Sequence, residues 1–528
     1  MVFTTLQFIV FFAVVFFGYY AIPSRYRWRL LLAASWFFYA YMTPYYLIFL
    51  GVATVVTYFS AIGIDNNLQR QRDWIAAHGK SVDRGVKKAY KDAMELKRKH
   101  VVAATVVALI GMLVAFKYLD FLFLNMSWLG GALGFNASIA PLRLILPIGL
   151  SFYVFQSLGY CIDVSRETVP AERNFFRHAL FVSYFPQVLQ GPIGNYGRLA
   201  SQLFEGNGFC YREAAFGLQR IVWGFFKKLV IANGIAQLID PVWGSAALYP
   251  GFLFWTFVLV LYSIQLYADF SGYMDIACGC SQMLGIKLDE NFNCPYFSKS
   301  IAEFWRNWHI TLGTWFKDYV FYPLLRSDAV SGLRKRLKGN AYLSNTVPTV
   351  AALLVVWLLI GLWHGADWAY VLYGLYHGLF IVSAVVFAPL VERFHVAFGK
   401  WVGSGSYRML QVGLTFAIVT AGYVLFRPAN LAVTGDILEQ SFAGLRYDVY
   451  ITFVHVNWME LVPVFLGTWA LFFVDIWHCF KPTVSLRVRI ESLPFYVRLC
   501  IYMVSVLLVA FMGLYGRPGL DQFAYFKF

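Results

Sequence analysis

Apolar runs of about 20 residues, the length of helix that crosses a bilayer core, recur from residues 3–22 to 498–515. In lipid every backbone polar group must be satisfied within the protein, and a helix does that within its own segment. Hydrophobic residues make up 59% of the chain and charged residues 13%, about half the share usual in soluble domains. The expectation is an all-α polytopic integral membrane protein, a single membrane-embedded domain over 1–528 with ten to twelve crossings. The run 3–22 has no basic residue before it and no small-residue cleavage pattern, so it reads as a retained helix rather than a signal peptide.

The net charge of +15 follows from 43 Lys and Arg against 28 Asp and Glu. In a membrane protein the positive-inside rule accounts for it more simply than nucleic acid does, so no nucleic-acid partner is expected. Arg25, Arg27 and Arg29 then mark a cytoplasmic turn. Residues 65–100, with ten Lys and Arg against five Asp and Glu, read as a cytoplasmic basic loop.

Pro147 and Gly149 break the apolar stretch 144–164, and Pro186, Gly191, Pro192 and Gly194 break 179–199. These read as short or re-entrant helices, tolerated at membrane depth where protein or a water-filled cavity satisfies the backbone. A helical pair splits at Thr43-Pro44; Gly130, Gly131, Gly134 and Asn136 mark a loop, as do 427–450 and 481–494. Lys227-Lys228 interrupt the apolar run 215–238. Seven cysteines show no metal-type spacing and read as small apolar core residues.

Against this background a few polar residues stand out. His364 ends the uncharged run 350–363 between Gly361 and Gly365, which allow another backbone or a substrate to approach the ring closely. An ionisable group at membrane depth is costly and is a functional candidate by default. His309 lies in EFWRNWHITLGTWFKD among Trp305, Trp308 and Trp315. Read as a helix, Trp305, Trp308 and His309 share one face; the duller reading is an interfacial amphipathic helix. Asp269 and Asp275 flank FSGY after the apolar run 251–268, either as a polar helix cap or as a site lining. His178 and His377 carry no motif and read as structural.

Two histidines without a cysteine pair, HExxH or carboxylate triplet suit a metal poorly, so no metal is expected. They suit acid/base chemistry, because imidazole moves protons both ways near neutrality. No GxSxG elbow, P-loop or GxGxxG occurs.

The passage PYFSKSIAEFWRNWHITLGTW, followed some 50 residues later by GLWHG, resembles the membrane-bound O-acyltransferases. The resemblance is closest to the branch of alginate O-acetylation and teichoic acid D-alanylation proteins. LPIGLSFYVFQSLGYCIDV (146–164), QGPI (190–193), YADFSGYMDIA (267–277) and GIKLDENFNCPYFS (285–298) support it, with the motif-bearing core at about 144–378.

The resemblance implies a ring of transmembrane helices plus re-entrant helices around a tunnel, in a bacterial inner membrane. His364 maps onto the family's essential histidine and His309 onto its WRxWH histidine, with Trp305, Arg306, Trp308, Asp269, Tyr273 and Trp363 lining the tunnel. No bound cofactor is implied. An acyl thioester, acetyl-CoA or an acyl carrier protein, would arrive from the cytoplasm. The acceptor would be a hydroxyl of an envelope or secreted polysaccharide, or an extracytoplasmic acetyltransferase partner. His364 would act as base, and His309 would orient the acceptor or stabilise the oxyanion. D-alanyl transfer from a carrier protein to teichoic acid is the alternative enzyme; a lipid or sugar transporter, or a synthase scaffold, is the alternative outside enzymes. LGTW after His309 and the basic loop 325–346 depart from the alginate pattern and leave the acceptor open.

Overall fold

A computed structural model describes residues 1–42, 44–79, 81–135, 139–249, 251–428, 430–443, 458–481 and 486–513. Thr43, Asn136 and parts of the loops expected at 427–450 and 481–494 lie outside these residues. No β-strand occurs among the described residues, as an apolar, membrane-length pattern requires.

Nine helices among them are long and apolar enough to cross a membrane. The first apolar run forms a shorter helix of 16 residues, α1 (Leu6–Ala21), followed by α2 (Ser24–Met42). The long helices begin with α3 (Leu47–His78) and α4 (Arg84–Lys117). The polar stretch 65–100 is therefore mostly helical rather than a loop. Both helices continue past their apolar parts, and the turn between them is short.

The chain divides into two compact units. The first comprises Met1, Thr5–Gly217 and Cys280–Asp289. Within it, α5 (Leu150–Ser165) starts just after the Pro147 and Gly149 break and packs on α3 and α4. The interrupted stretch that follows forms the short helices Phe175–Ser183 and Phe185–Val188, as its prolines and glycines predict. Side chains supply the bonds its backbone lacks. Gln156 donates to the Phe181 carbonyl and accepts from Gly194 N at 3.2 Å, while Gln187 donates to the Pro192 carbonyl at 2.9 Å. Buried His178 meets Thr57 Oγ1 at 2.9 Å, which accords with a structural role.

The second unit comprises Val2–Thr4, Leu218–Gly279 and Glu290–Phe528. It takes in most of α6 (Tyr211–Phe225), a π-helical turn at Phe226–Ala232, and most of α7 (Phe252–Met283). Two short helices follow, α8 (Ile301–Asn307) and α9 (Ile310–Phe316). Then come α10 (Ala341–His364), α11 (Trp368–Val386) and α12 (Gly405–Phe426), with α13 (Trp458–Phe480) and α14 (Phe495–Met512) last. No residue of α14 is buried although it is almost wholly apolar, a surface that only lipid or another apolar body stabilises. Of the cysteines, 161, 278, 280 and 294 are buried as small apolar residues should be, whereas 210, 479 and 500 are exposed.

Candidate active site

The hairpin of α10 and α11 places His364. Gly374 and Gly378 form a G-x-x-x-G stripe on α11, and Gly361 faces it from α10. Small residues let membrane helices approach closely, where dispersion replaces the hydrophobic effect that lipid cannot supply. A β-carbon at Gly361 would sit 2.5 Å from the Tyr370 carbonyl oxygen, and one at Gly378 would sit 2.8 Å from Trp357 Cβ. A β-carbon at Gly365 would overlap the Tyr370 ring. The glycines flanking His364 thus admit α11 itself. Asp367 ends the three-residue turn by accepting from Ala369 N at 2.8 Å, a standard N-cap.

His364 is the last residue of α10 and is 4% exposed. Its ring sits 5.0 Å from Trp363, 5.8 Å from Tyr373 and 5.1 Å from Phe426, centroid to centroid. The titratable group is therefore walled by aromatic carbon.

His309 does not lie on a continuous helix with Trp305 and Trp308, and the one-face reading is corrected. Helix α8 stops at Asn307; Trp308 is extended and bridges antiparallel to Phe292. His309 then adopts φ 47° and ψ 52°, left-handed, before α9 begins. That conformation is unfavourable for a residue with a β-carbon and persists only where the surroundings enforce it. Here Asn291 enforces it. Its backbone carbonyl accepts from Ile310 N at 3.0 Å. Its Oδ1 accepts from Thr311 N at 3.0 Å and Thr311 Oγ1 at 2.7 Å, and lies 3.4 Å from His309 Nδ1.

An amide oxygen only accepts, so this contact assigns the proton to Nδ1 and makes Nε2 the acceptor nitrogen of the ring. The ring is 2% exposed. It meets Phe270 edge-on at 4.8 Å and Trp363 at 5.6 Å. Trp363 thus touches both histidines.

The other expected site residues separate. Trp305 joins this aromatic set through Trp357 at 4.9 Å and Tyr373 at 6.4 Å. Trp308 is 2% exposed and packs on Phe304, Phe292 and Tyr296. Arg306 is exposed on α8.

Asp269 and Tyr273 belong to an ionic layer on α7. The helix continues 32 residues to Met283, so neither Asp269 nor Asp275 caps its end. Asp269 pairs with Lys228, whose ammonium also lies over the Tyr273 ring at 5.4 Å. Asp275 pairs with Lys227 and with Arg220 at 2.8 Å, and Arg220 also pairs with Glu290. The Lys227-Lys228 interruption is thereby explained: each lysine meets a carboxylate, and the π-turn widens the helix at that point. Such turns recur at functional sites. Buried charges stay buried only when paired in this way.

Asn291, Phe270, Tyr373 and Phe426 were not singled out from the sequence. Asn291 falls inside the GIKLDENFNCPYFS passage, but nothing in its local pattern marks it; its role comes from the fold. Among the described residues no group of three His, Cys, Asp or Glu is placed to hold a metal ion.

Residues 164–423 match the model of the membrane-bound O-acyltransferase family. The chain is 33% identical over 484 residues to the probable alginate O-acetylase of Azotobacter vinelandii, covering 90% of this chain and 84% of the relative. It is 31% identical to the peptidoglycan O-acetyltransferase of Helicobacter pylori over 83% of this chain and 78% of the relative. It is 29% identical to the teichoic acid D-alanyltransferase of Bacillus subtilis over 54% of this chain and 70% of the relative.

Proposed function

The chain belongs to the membrane-bound O-acyltransferase family and is a multi-pass membrane O-acyltransferase, and from that premise we propose that it carries an acetyl group from a cytoplasmic thioester to a hydroxyl of an envelope or secreted polysaccharide, or of an extracytoplasmic partner. The observation that carries the reading is the pairing of two buried histidines on the one Trp363 ring. The relatives named for O-acetylation align over most of the chain, whereas the D-alanyltransferases align over about half of it, which favours acetyl over D-alanyl transfer.

The proposed step runs as follows. The reacting O–H donates to His364, which takes its proton as the oxygen attacks the thioester carbonyl, while a neighbouring hydroxyl of the acceptor donates to His309 Nε2 and orients it. The C–S bond then breaks, and His364 returns the proton to the departing thiolate. The products are an ester and a free thiol. With Nδ1–H directed at Asn291, His309 suits holding a hydroxyl better than donating to an oxyanion. The aromatic walls keep water, a competing nucleophile, from the thioester. Acetyl-CoA and an acyl carrier protein are the donors of this chemistry, and a bacterial inner membrane is where both substrates meet.

The test is the acyl content of envelope polysaccharides in cells carrying His364→Ala at normal membrane levels. Loss of the acyl groups supports transfer through His364. Unchanged acylation would put a transporter or synthase-scaffold role ahead.

A further inference from the structure

A third histidine lies beside the pair. His377 is fully buried on α11, one helical turn beyond Tyr373, and its ring centroid is 4.7 Å from Tyr373, which is itself 5.8 Å from His364. Trp305 meets His377 edge-on at 5.0 Å with the planes at 79°. Trp357 and Tyr376 complete the surroundings, at 6.1 Å and 5.1 Å.

Among the described residues neither ring nitrogen of His377 has a hydrogen-bond partner, nor has the buried indole N–H of Trp305. Buried polar groups are almost always satisfied, and three such atoms together on adjacent rings ask for an occupant. A pure packing role would be filled at lower cost by phenylalanine at both positions.

The chemistry of the three atoms defines that occupant. The indole offers a donor; the neutral imidazole offers one donor and one acceptor. A hydroxyl that accepts from Trp305 Nε1–H and donates to the bare nitrogen of His377 partners two of the three atoms at once, and a second hydroxyl of the same sugar can accept from the remaining His377 N–H. The four rings around His377 carry no charge, so an anionic phosphate finds no counter-ion among them, whereas a neutral hydroxyl needs none.

We infer that His377 and Trp305 form a hydroxyl-binding site that grips the acyl acceptor, one tyrosine ring away from the reacting hydroxyl at His364. The inference rests on the acyl-transfer reading and deepens it. A polysaccharide carries several hydroxyls per sugar, so one can be gripped at His377 while a neighbour reacts.

The experiment uses the full chain in proteoliposomes, with acetyl-CoA as donor and base-deacetylated envelope polysaccharide from the producing cells as acceptor. His377→Phe and Trp305→Phe keep the ring volume and remove the polar atoms. Each is expected to raise the acceptor KM about tenfold, as loss of a hydrogen bond in a dry site does, with the KM for acetyl-CoA unchanged. His377→Asn, which can still donate and accept, is expected to recover most of the affinity. An unchanged acceptor KM in both phenylalanine variants, or a loss in kcat alone, would overturn the site. If His377→Phe does not insert, Trp305→Phe decides alone. If wild-type protein transfers nothing while His364→Ala cells keep their acylation, the acyl-transfer reading itself falls and takes this site with it. Active wild type with unaffected variants removes only the site.

Discussion

His309 and His364 pack against the same indole: the Trp363 ring centroid lies 5.6 Å from one imidazole and 5.0 Å from the other. They are 55 positions apart in sequence and sit on separate elements, one at the left-handed start of α9 and the other at the end of α10. Removing that shared wall should therefore disturb both at once. Trp363→Ala is expected to lower kcat at least tenfold at normal protein levels, with Trp363→Phe in between, since misplacing reacting groups by about 1 Å can cost a hundredfold. Steady-state rates on purified protein check this; full activity of Trp363→Ala would show that the ring does not hold the pair.

Asn291 holds His309 by bonds to the residues after it. Asn291→Leu keeps the volume but leaves Thr311 N and Thr311 Oγ1 without their acceptor, at about 1–3 kcal/mol of stability. Thermal unfolding in detergent should fall accordingly, and acyl transfer should drop further than His309→Gln alone explains. A variant as stable and active as the parent would dismiss Asn291 as the anchor.

The backbone at His309 carries its own signature. At φ 47° a β-carbon is unfavourable by about 1–2 kcal/mol, and glycine relieves it. His309→Gly should melt above His309→Ala, although both lose the imidazole and its activity. The reverse order of melting temperatures would mean that the left-handed turn is not strained.

The α10–α11 hairpin leaves no room for added methyl groups. Gly361→Ala would drive a β-carbon against the Tyr370 carbonyl, and overpacking of this kind costs about 1–3 kcal/mol. Reduced membrane accumulation, or a lowered melting temperature with His364 misplaced, is the expected result. Wild-type levels and activity would contradict the close approach.

Lys228 and Asp269 form a pair buried on both sides, 4% and 3% exposed at their side chains. Lys228→Ala alone strands the carboxylate and should cost about 3–5 kcal/mol, whereas Lys228→Met with Asp269→Leu should recover much of it. A double-mutant cycle on unfolding reads the coupling; additive effects would mean that the two charges act independently.

The helical membrane class was legible because apolar length is a local property that lipid imposes wherever the run occurs. The broken helices at 144–199 were legible for the same reason, since proline and glycine act on their own backbone. His364 was legible as a charge-capable residue closing an uncharged run, and His309 as a histidine amid tryptophans. The continuity of α7 past Asp269 was not, because the carboxylates close the apolar run in the sequence and are neutralised only in the fold, by Lys227 and Lys228 from another helix.

The chain by itself marked the candidates for the chemistry: one histidine closing an uncharged apolar run and one amid tryptophans. Only the tertiary structure decided their geometry. Residue type and spacing record what a side chain can do, but not what stands next to it. Asn291 turns the backbone at His309, Gly361 and Gly374 draw α11 against His364, and Trp363 lies between the two rings. Each is a contact between segments distant in sequence, and its energy exists only once the helices have packed.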